Sequence, residues 1–156
     1  IMKTPEDKLH DLGIILPQAQ SPVANYVSAV QSGQLMFLAG AGPAALPDGT
    51  IPKGKLGLDF TVEEGYEHAR SVGLIQITRM KEELGDLTRV KQIVKLLAMV
   101  NCTPDFNQHP AVINGCSDLL VEVFGEEGRH ARSAVGMSNL PFSIPVEIEM
   151  IIEIRD

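Results

Sequence analysis

Near the C-terminus, one arginine and two glutamates stand in a spacing that suits recognition of a small anion. Arg132-Ser133-Ala134-Val135 opens a strand-like run, Leu140-Pro141 follows, and Val146-Glu147-Ile148-Glu149 begins a second run. A guanidinium in an otherwise apolar segment is costly unless an anionic partner meets it. Glu147 and Glu149 on the next predicted strand could be that partner, in a structural ion pair across two strands or across a subunit boundary. Alternatively, Arg132 forks two N–H groups onto the carboxylate of a small ligand. Spacing alone leaves both readings open.

Other chemistries find less support. His10, His68, His109 and His130 lie in separate segments with no helical i, i+4 pair and no His-x-His, so no metal site is expected. Gly40-Ala41-Gly42 follows a predicted strand, but Pro43 stands where a helix would begin. With no third glycine and no Gly-Lys-Ser/Thr, it reads as a turn rather than a phosphate loop, and no cofactor is expected. There is no Gly-x-Ser-x-Gly, and neither Cys102 nor Cys116 has a histidine near it in sequence. The two cysteines form no Cys-x-x-Cys and read as free thiols of a reducing compartment.

The elements that must position these residues follow from periodicity. Residues 26–31 and 35–39, joined by Ser32-Gly33-Gln34, read as a hairpin. Residues 41–60 are a Gly- and Pro-rich loop with a turn at Pro47-Asp48-Gly49 and a short strand at Thr50-Ile51. Thr61-Val62-Glu63-Glu64 is a capping box that opens a helix ending at Gly85. On that helix Val62, Tyr66, Ala69, Gly73, Ile77, Met80 and Leu84 share one face, and Gly73 would let it approach a sheet closely. Residues 89–101 are apolar on both faces, as in a central strand. A second helix over 107–124 buries Val112, Cys116, Leu119 and Val123, and residues 132–138 form a short strand. Residues 145–154 alternate: Val146, Ile148, Met150, Ile152 and Ile154 face one way, and Glu147, Glu149, Ile151 and Glu153 the other. The order β-β-α-β-α-β-β predicts an α+β domain, a two-layer α/β sandwich with two helices on one face of a mixed sheet.

Bulk properties bound the partners. At 156 residues the chain fits one domain, and its 44% hydrophobic and 21% charged content is that of a folded protein. Thirteen basic against twenty acidic residues give a net charge of −7, and there is no tryptophan, so nucleic-acid binding is not expected. No apolar run is long enough for a membrane helix, and the acidic, polar start is unlike a secretory signal, which points to the cytoplasm. A mean hydropathy of +0.08 is slightly apolar for so small a domain and points to self-association.

The C-terminal run resembles the RidA/YjgF family of reactive intermediate deaminases, once called the endoribonuclease L-PSP family. Its signature is Arg-Ser-Cys-Val, a Leu-Pro and a Val/Ile-Glu-Ile-Glu strand, matched here by Arg132-Ser133-Ala134-Val135, Leu140-Pro141 and Val146-Glu147-Ile148-Glu149. Tyr26-Val27, Gly33, Gly40 and Val112-Ile113-Asn114 are similar to further family positions. The resemblance covers residues 22–156 as a single domain and leaves 1–21 as an N-terminal extension. It implies a chorismate-mutase-like fold, a homotrimer with inter-subunit clefts, and hydrolysis of 2-imino acids or enamines to 2-keto acids and ammonia without metal or cofactor. Arg132 would hold the substrate carboxylate and Glu147 would handle the water or a proton. Gly40 and Asn114 would line the cleft, and Tyr26 from an adjacent subunit would close it. The family serine before the glycine is Ala39 here, and its cysteine is Ala134. These changes keep a second reading open, a non-catalytic trimer that binds small carboxylates. The ribonuclease activity in the older family name is a third reading that the acidic charge disfavours.

Overall fold

The computed structural model describes residues 1–156. Its elements are α1 (Pro5–Asp11), β1 (Ala29–Ser32), β2 (Leu35–Ala41), α2 (Val62–Leu84), β3 (Val90–Asn101), α3 (His109–Phe124), β4 (Ala131–Met137) and β5 (Val146–Ile154). The strands form one sheet in the order β1-β2-β5-β3-β4. β3 and β4 are parallel, joined by the α3 crossover, and every other pair is antiparallel. The result is the expected two-layer α+β sandwich with a mixed sheet.

Alternation along β5 builds the core. Val146, Ile148, Met150, Ile152 and Ile154 are buried together with Met36 and Leu38 of β2 and Ile93, Leu96, Ala98 and Val100 of β3. Each such side chain contributes about 1.5–3 kcal/mol on leaving water. The opposite face has no helix over it. Val30, Leu35, Phe37 and Val135 stay exposed there, beside Ile151 and the β5 glutamates.

Local signals act as read. The Thr61 hydroxyl accepts the Glu64 N–H at 3.1 Å, and the Glu64 carboxylate accepts the Thr61 N–H at 3.2 Å. Gly73, by contrast, faces α3 and not the sheet, with Leu119 and Cys116 against its α-carbon. The contact is closest at Gly115, where a β-carbon would lie 1.9 Å from the Tyr66 carbonyl oxygen of α2. Tyr66 reinforces the helix pair by donating to Asp118 Oδ2 at 2.7 Å, and that bond is the main reason its phenol is pushed up to about 12.

Two expectations about strands shift. β1 begins at Ala29, not at residue 26, which leaves Tyr26 exposed in the approach to the hairpin. Thr50-Ile51 is not a strand, because Asp48 Oδ1 captures the Thr50 N–H at 2.9 Å in a side-chain-closed turn. Residues 1–21 pack onto the domain. Leu9 joins the core, Glu6 Oε1 accepts the Leu87 N–H at 2.7 Å, and the Thr78 hydroxyl donates to Pro17 O at 2.7 Å.

Gly115→Ala separates packing from propensity. Helix propensity alone would raise stability by about 1 kcal/mol. Overpacking against a backbone carbonyl instead costs about 1–3 kcal/mol, so thermal unfolding should show a Tm lower by several degrees.

Candidate functional site

The residues singled out by sequence fall into two groups on opposite faces of the sheet. The first group surrounds a bulge in β2. Leu38 pairs with Met150 and Ala41 with Ile148, so Ala39 and Gly40 together oppose Glu149. Two buried polar residues of α2 hold the bulge from behind. Gln76 Nε2 donates to Ala39 O at 2.9 Å and to Ile148 O at 2.7 Å. Arg79 Nη1 donates to Ala39 O at 3.1 Å and to Gly40 O at 3.4 Å. Burial pulls the Arg79 guanidinium below its ordinary value, and the nearby Tyr26 phenol acts on it in the opposite direction.

Glu147 lies directly against the bulge. A β-carbon at Gly40 would fall 2.5 Å from Glu147 Oε2, so any larger residue would push the carboxylate out of its present place. The carboxyl is half-buried, and burial pushes its pKa above the usual glutamate range, with the like charge of Glu149 adding to the shift. Glu147 therefore holds a proton more readily than an ordinary surface glutamate. Gly40 and Glu147 are thus brought together, whereas Tyr26, exposed ahead of β1, is near enough to Arg79 to influence its charge but has no contact with Glu147 in the chain.

The second group lines the groove between β4 and α3. Arg132 Nη1 donates to Ser117 Oγ at 2.9 Å, and Nη2 reaches Pro110 O at 3.4 Å. Asn114 is exposed and lies on the α3 stripe between those two contacts, at i+4 from Pro110 and i−3 from Ser117. Ala134 and Gly136 follow Arg132 on the same face of β4. Arg132 therefore reaches the same stripe of α3 that carries Asn114, with its hydrogen bonds going to Ser117 and Pro110.

The intrachain ion pair between Arg132 and Glu147 or Glu149 does not form. β3 lies between β4 and β5, and the two charges point to opposite faces. Arg132 aligns with Leu96 and Met150 on the helix side, whereas Glu147 aligns with Met99 and Glu149 with Leu97 on the open side. The ion pairs present in the chain use other residues. Arg132 is left with neutral acceptors alone and a guanidinium still partly open to solvent.

Several participants escaped sequence reasoning. Cys102 Sγ lies 3.5 Å from His109 Nε2, because a turn closed by Phe106 N–H to Thr103 O (3.1 Å) folds the chain back. Both approach Gly136, where a β-carbon would meet His109 Nε2 at 2.6 Å and Cys102 Sγ at 2.9 Å. Burial pushes the Cys102 thiol up, which disfavours a thiolate nucleophile there. Gln76 and Arg79 left a readable trace, as polar residues three apart within the buried face of a helix.

This architecture has close counterparts. Residues 6–152 match the profile of the YjgF/chorismate mutase-like family, whose description adds a provisional endoribonuclease designation. Protein TCP17 of Trypanosoma cruzi is 46% identical over 149 residues, spanning 95% of this chain and 92% of its own. A solved structure from Shewanella oneidensis, also provisionally described as an endoribonuclease, superposes with a TM-score of 0.93 at 34% identity, covering 97% of this chain and all of that one (100%). Escherichia coli TdcF, solved with bound serine, shares the fold at a TM-score of 0.61 and 24% identity, over 88% of this chain and 94% of its own. With nearly the whole chain matched by the profile and by these relatives, the protein belongs to the YjgF/chorismate mutase-like family, the RidA/L-PSP group.

Proposed function

We propose that this protein hydrolyses small 2-imino acids and their enamine tautomers at a cleft assembled between subunits of a homotrimer. The observation that carries the reading is Arg132, a cationic fork oriented by neutral groups and not neutralised by any carboxylate of its own chain. Such a group is suited to anchoring the carboxylate of a ligand. TdcF, with the same fold, holds serine, itself a small carboxylate-bearing molecule.

The two-faced arrangement explains why self-association belongs to the mechanism. One chain places Arg132 and Asn114 in the α3 groove, and Gly40 and Glu147 on the open face. Joining the two halves requires a neighbour to bring its Glu147 side to this chain's Arg132 side, with Tyr26 entering alongside. The apolar open face, with Phe37, Leu35, Val30 and Val135, supplies the surface for that contact. In solution the particle should have about three times the 16.9 kDa chain mass.

The chemistry then needs only positioning and one proton shuttle. Arg132 fixes the carboxylate and thereby the imine carbon. The imine is taken up protonated on nitrogen. Glu147 from the neighbouring chain accepts a proton from water as the water oxygen bonds to the imine carbon and the C=N π pair moves to nitrogen, which gives the carbinolamine. Glu147 returns that proton to nitrogen. The C–N bond then breaks as the oxygen forms the C=O bond, and the hydroxyl proton passes back to Glu147 and on to the departing ammonia, so the products are a 2-keto acid and ammonium. An enamine first takes a proton at its β-carbon. The alanines at 39 and 134 favour a second reading, carboxylate binding without turnover, because they remove two polar side chains from the two half-sites.

Imine generated in situ by an amino-acid oxidase separates the readings. Wild type should accelerate keto-acid release, and Arg132→Ala should lose that acceleration by about 100-fold or more, the scale of a lost charged anchor. Glu147→Gln should retain keto-acid binding but lose turnover. Imine decay at the uncatalysed rate, with keto acid still bound through Arg132, would establish the binding-only reading. The pH profile gives a second check. Turnover requires ionised Glu147, so kcat should fall as the medium is acidified, with a midpoint above the ordinary glutamate value of 4.5.

A further inference from the structure

Behind Arg132 runs a chain of hydrogen bonds that the proposed reaction does not use. Ser117 Oγ, which accepts from Arg132 Nη1, lies 2.8 Å from His130 Nε2, and His130 Nδ1 lies 2.7 Å from Gly128 O. Proton positions follow from what each atom can do. A carbonyl oxygen only accepts, so His130 carries its hydrogen on Nδ1. A neutral imidazole of that tautomer accepts at Nε2, so the Ser117 hydroxyl donates to it. The serine oxygen then turns its lone pairs to the guanidinium. With the imidazole neutral, every link has one possible direction.

We propose that His130 and Ser117 are positioning residues, a neutral relay that aims the Arg132 guanidinium at a ligand carboxylate without neutralising its charge. The inference rests on the reading of Arg132 as a carboxylate anchor. Its force lies in the choice of acceptors. An aspartate or glutamate in place of Ser117 would hold the guanidinium at least as firmly but would cancel its charge before a ligand arrived. A hydroxyl fixes direction and leaves the charge intact. Of the five guanidinium N–H groups, one meets Ser117 and one Pro110 O, so three stay free, enough for a two-pronged contact with a carboxylate.

The surroundings keep the relay neutral. Burial lowers the His130 pKa below its ordinary value, and the positive charge of Arg132 lowers it further. The carboxylates on the preceding turn are engaged elsewhere: Glu126 pairs with Arg129 and Glu127 with Arg155. Cys116, on the next residue of α3, is held as a neutral thiol, its pKa pushed up to about 12 by burial. His130 stands two residues before Arg132, on the same side of the extended chain, which is what allows one serine between them to serve both.

The test uses the full-length protein, 2-oxobutanoate as probe, calorimetric Kd and the ¹⁵N imidazole signals of His130. At pH 7.5 those signals should report the Nδ1–H tautomer. Ser117→Ala should weaken binding about tenfold, the scale of a hydrogen bond to a charged group. Ser117→Thr keeps the hydroxyl and should restore affinity to within about twofold, and His130→Gln, whose carbonyl can still accept from Ser117, should do likewise. Ser117→Asp should bind more weakly than Ser117→Ala despite holding Arg132. An Nε2–H tautomer, or Ser117→Ala and Ser117→Asp binding like wild type, overturns the relay. If Arg132→Ala itself binds like wild type, the carboxylate reading fails, and with it the relay's role in binding. A purely structural role would instead lower the Tm of Ser117→Ala and leave Kd unmoved.

Discussion

A side chain on a β-strand points to one face of its sheet or the other, and in this fold that constraint keeps the two charged ends of the site apart. β5 gives its even-numbered residues to the core and its glutamates to the open face. β4, two strands away, turns Arg132 toward the helices. A register slip of one residue would unite the charges on one face and bury the glutamates of β5 in the core, which the apolar alternation forbids. The hydrophobic pattern that folds the chain therefore also keeps Arg132 and Glu147 on opposite faces of the sheet within one chain, and the proposed site joins them across a boundary between molecules.

Each half-site is held by groups that leave its working charge free. The β2 bulge is gripped from behind by Gln76 and Arg79 through backbone carbonyls, so Glu147 keeps its carboxylate oxygens for other partners. In the other half, Ser117 and the Pro110 carbonyl hold Arg132 with no counter-charge. The site is thereby electrically incomplete within one chain, one half cationic and one anionic. In a protein of net charge −7, the part-exposed Arg132 guanidinium has no carboxylate partner within its own chain.

What the sequence disclosed was what depends on near neighbours. The Thr61–Glu64 capping box, the Gly85 stop and the β5 alternation each lie within a few residues and operate as read. Arg132, Glu147, Gly40 and Asn114 stood together in the sequence motif, but which face of the sheet each would take could not be sorted, because consecutive position in sequence conceals the insertion of β3 between β4 and β5. The intrachain Arg132–Glu147 ion pair does not form for that reason. Cys102 with His109, and Ser117 with His130, join across a turn and a helix end, and no periodicity announces them. Gln76 and Arg79 were visible as polar interruptions of a buried helix face. Their role became clear only once β2 was seen to bulge in front of them.

The central claim is that each site takes its arginine from one subunit and its glutamate from the next, and subunit mixing tests it most directly. Arg132→Ala and Glu147→Gln, each inactive alone, are unfolded or dissociated together, reassembled at equal ratio, and assayed for imine hydrolysis. If the halves come from neighbouring chains in a closed ring, random mixing restores about one quarter of the wild-type sites, those in which an intact glutamate meets an intact arginine. Activity that stays at the level of the separate variants, with subunit exchange verified by mass, would contradict the account and place both residues' action within one chain.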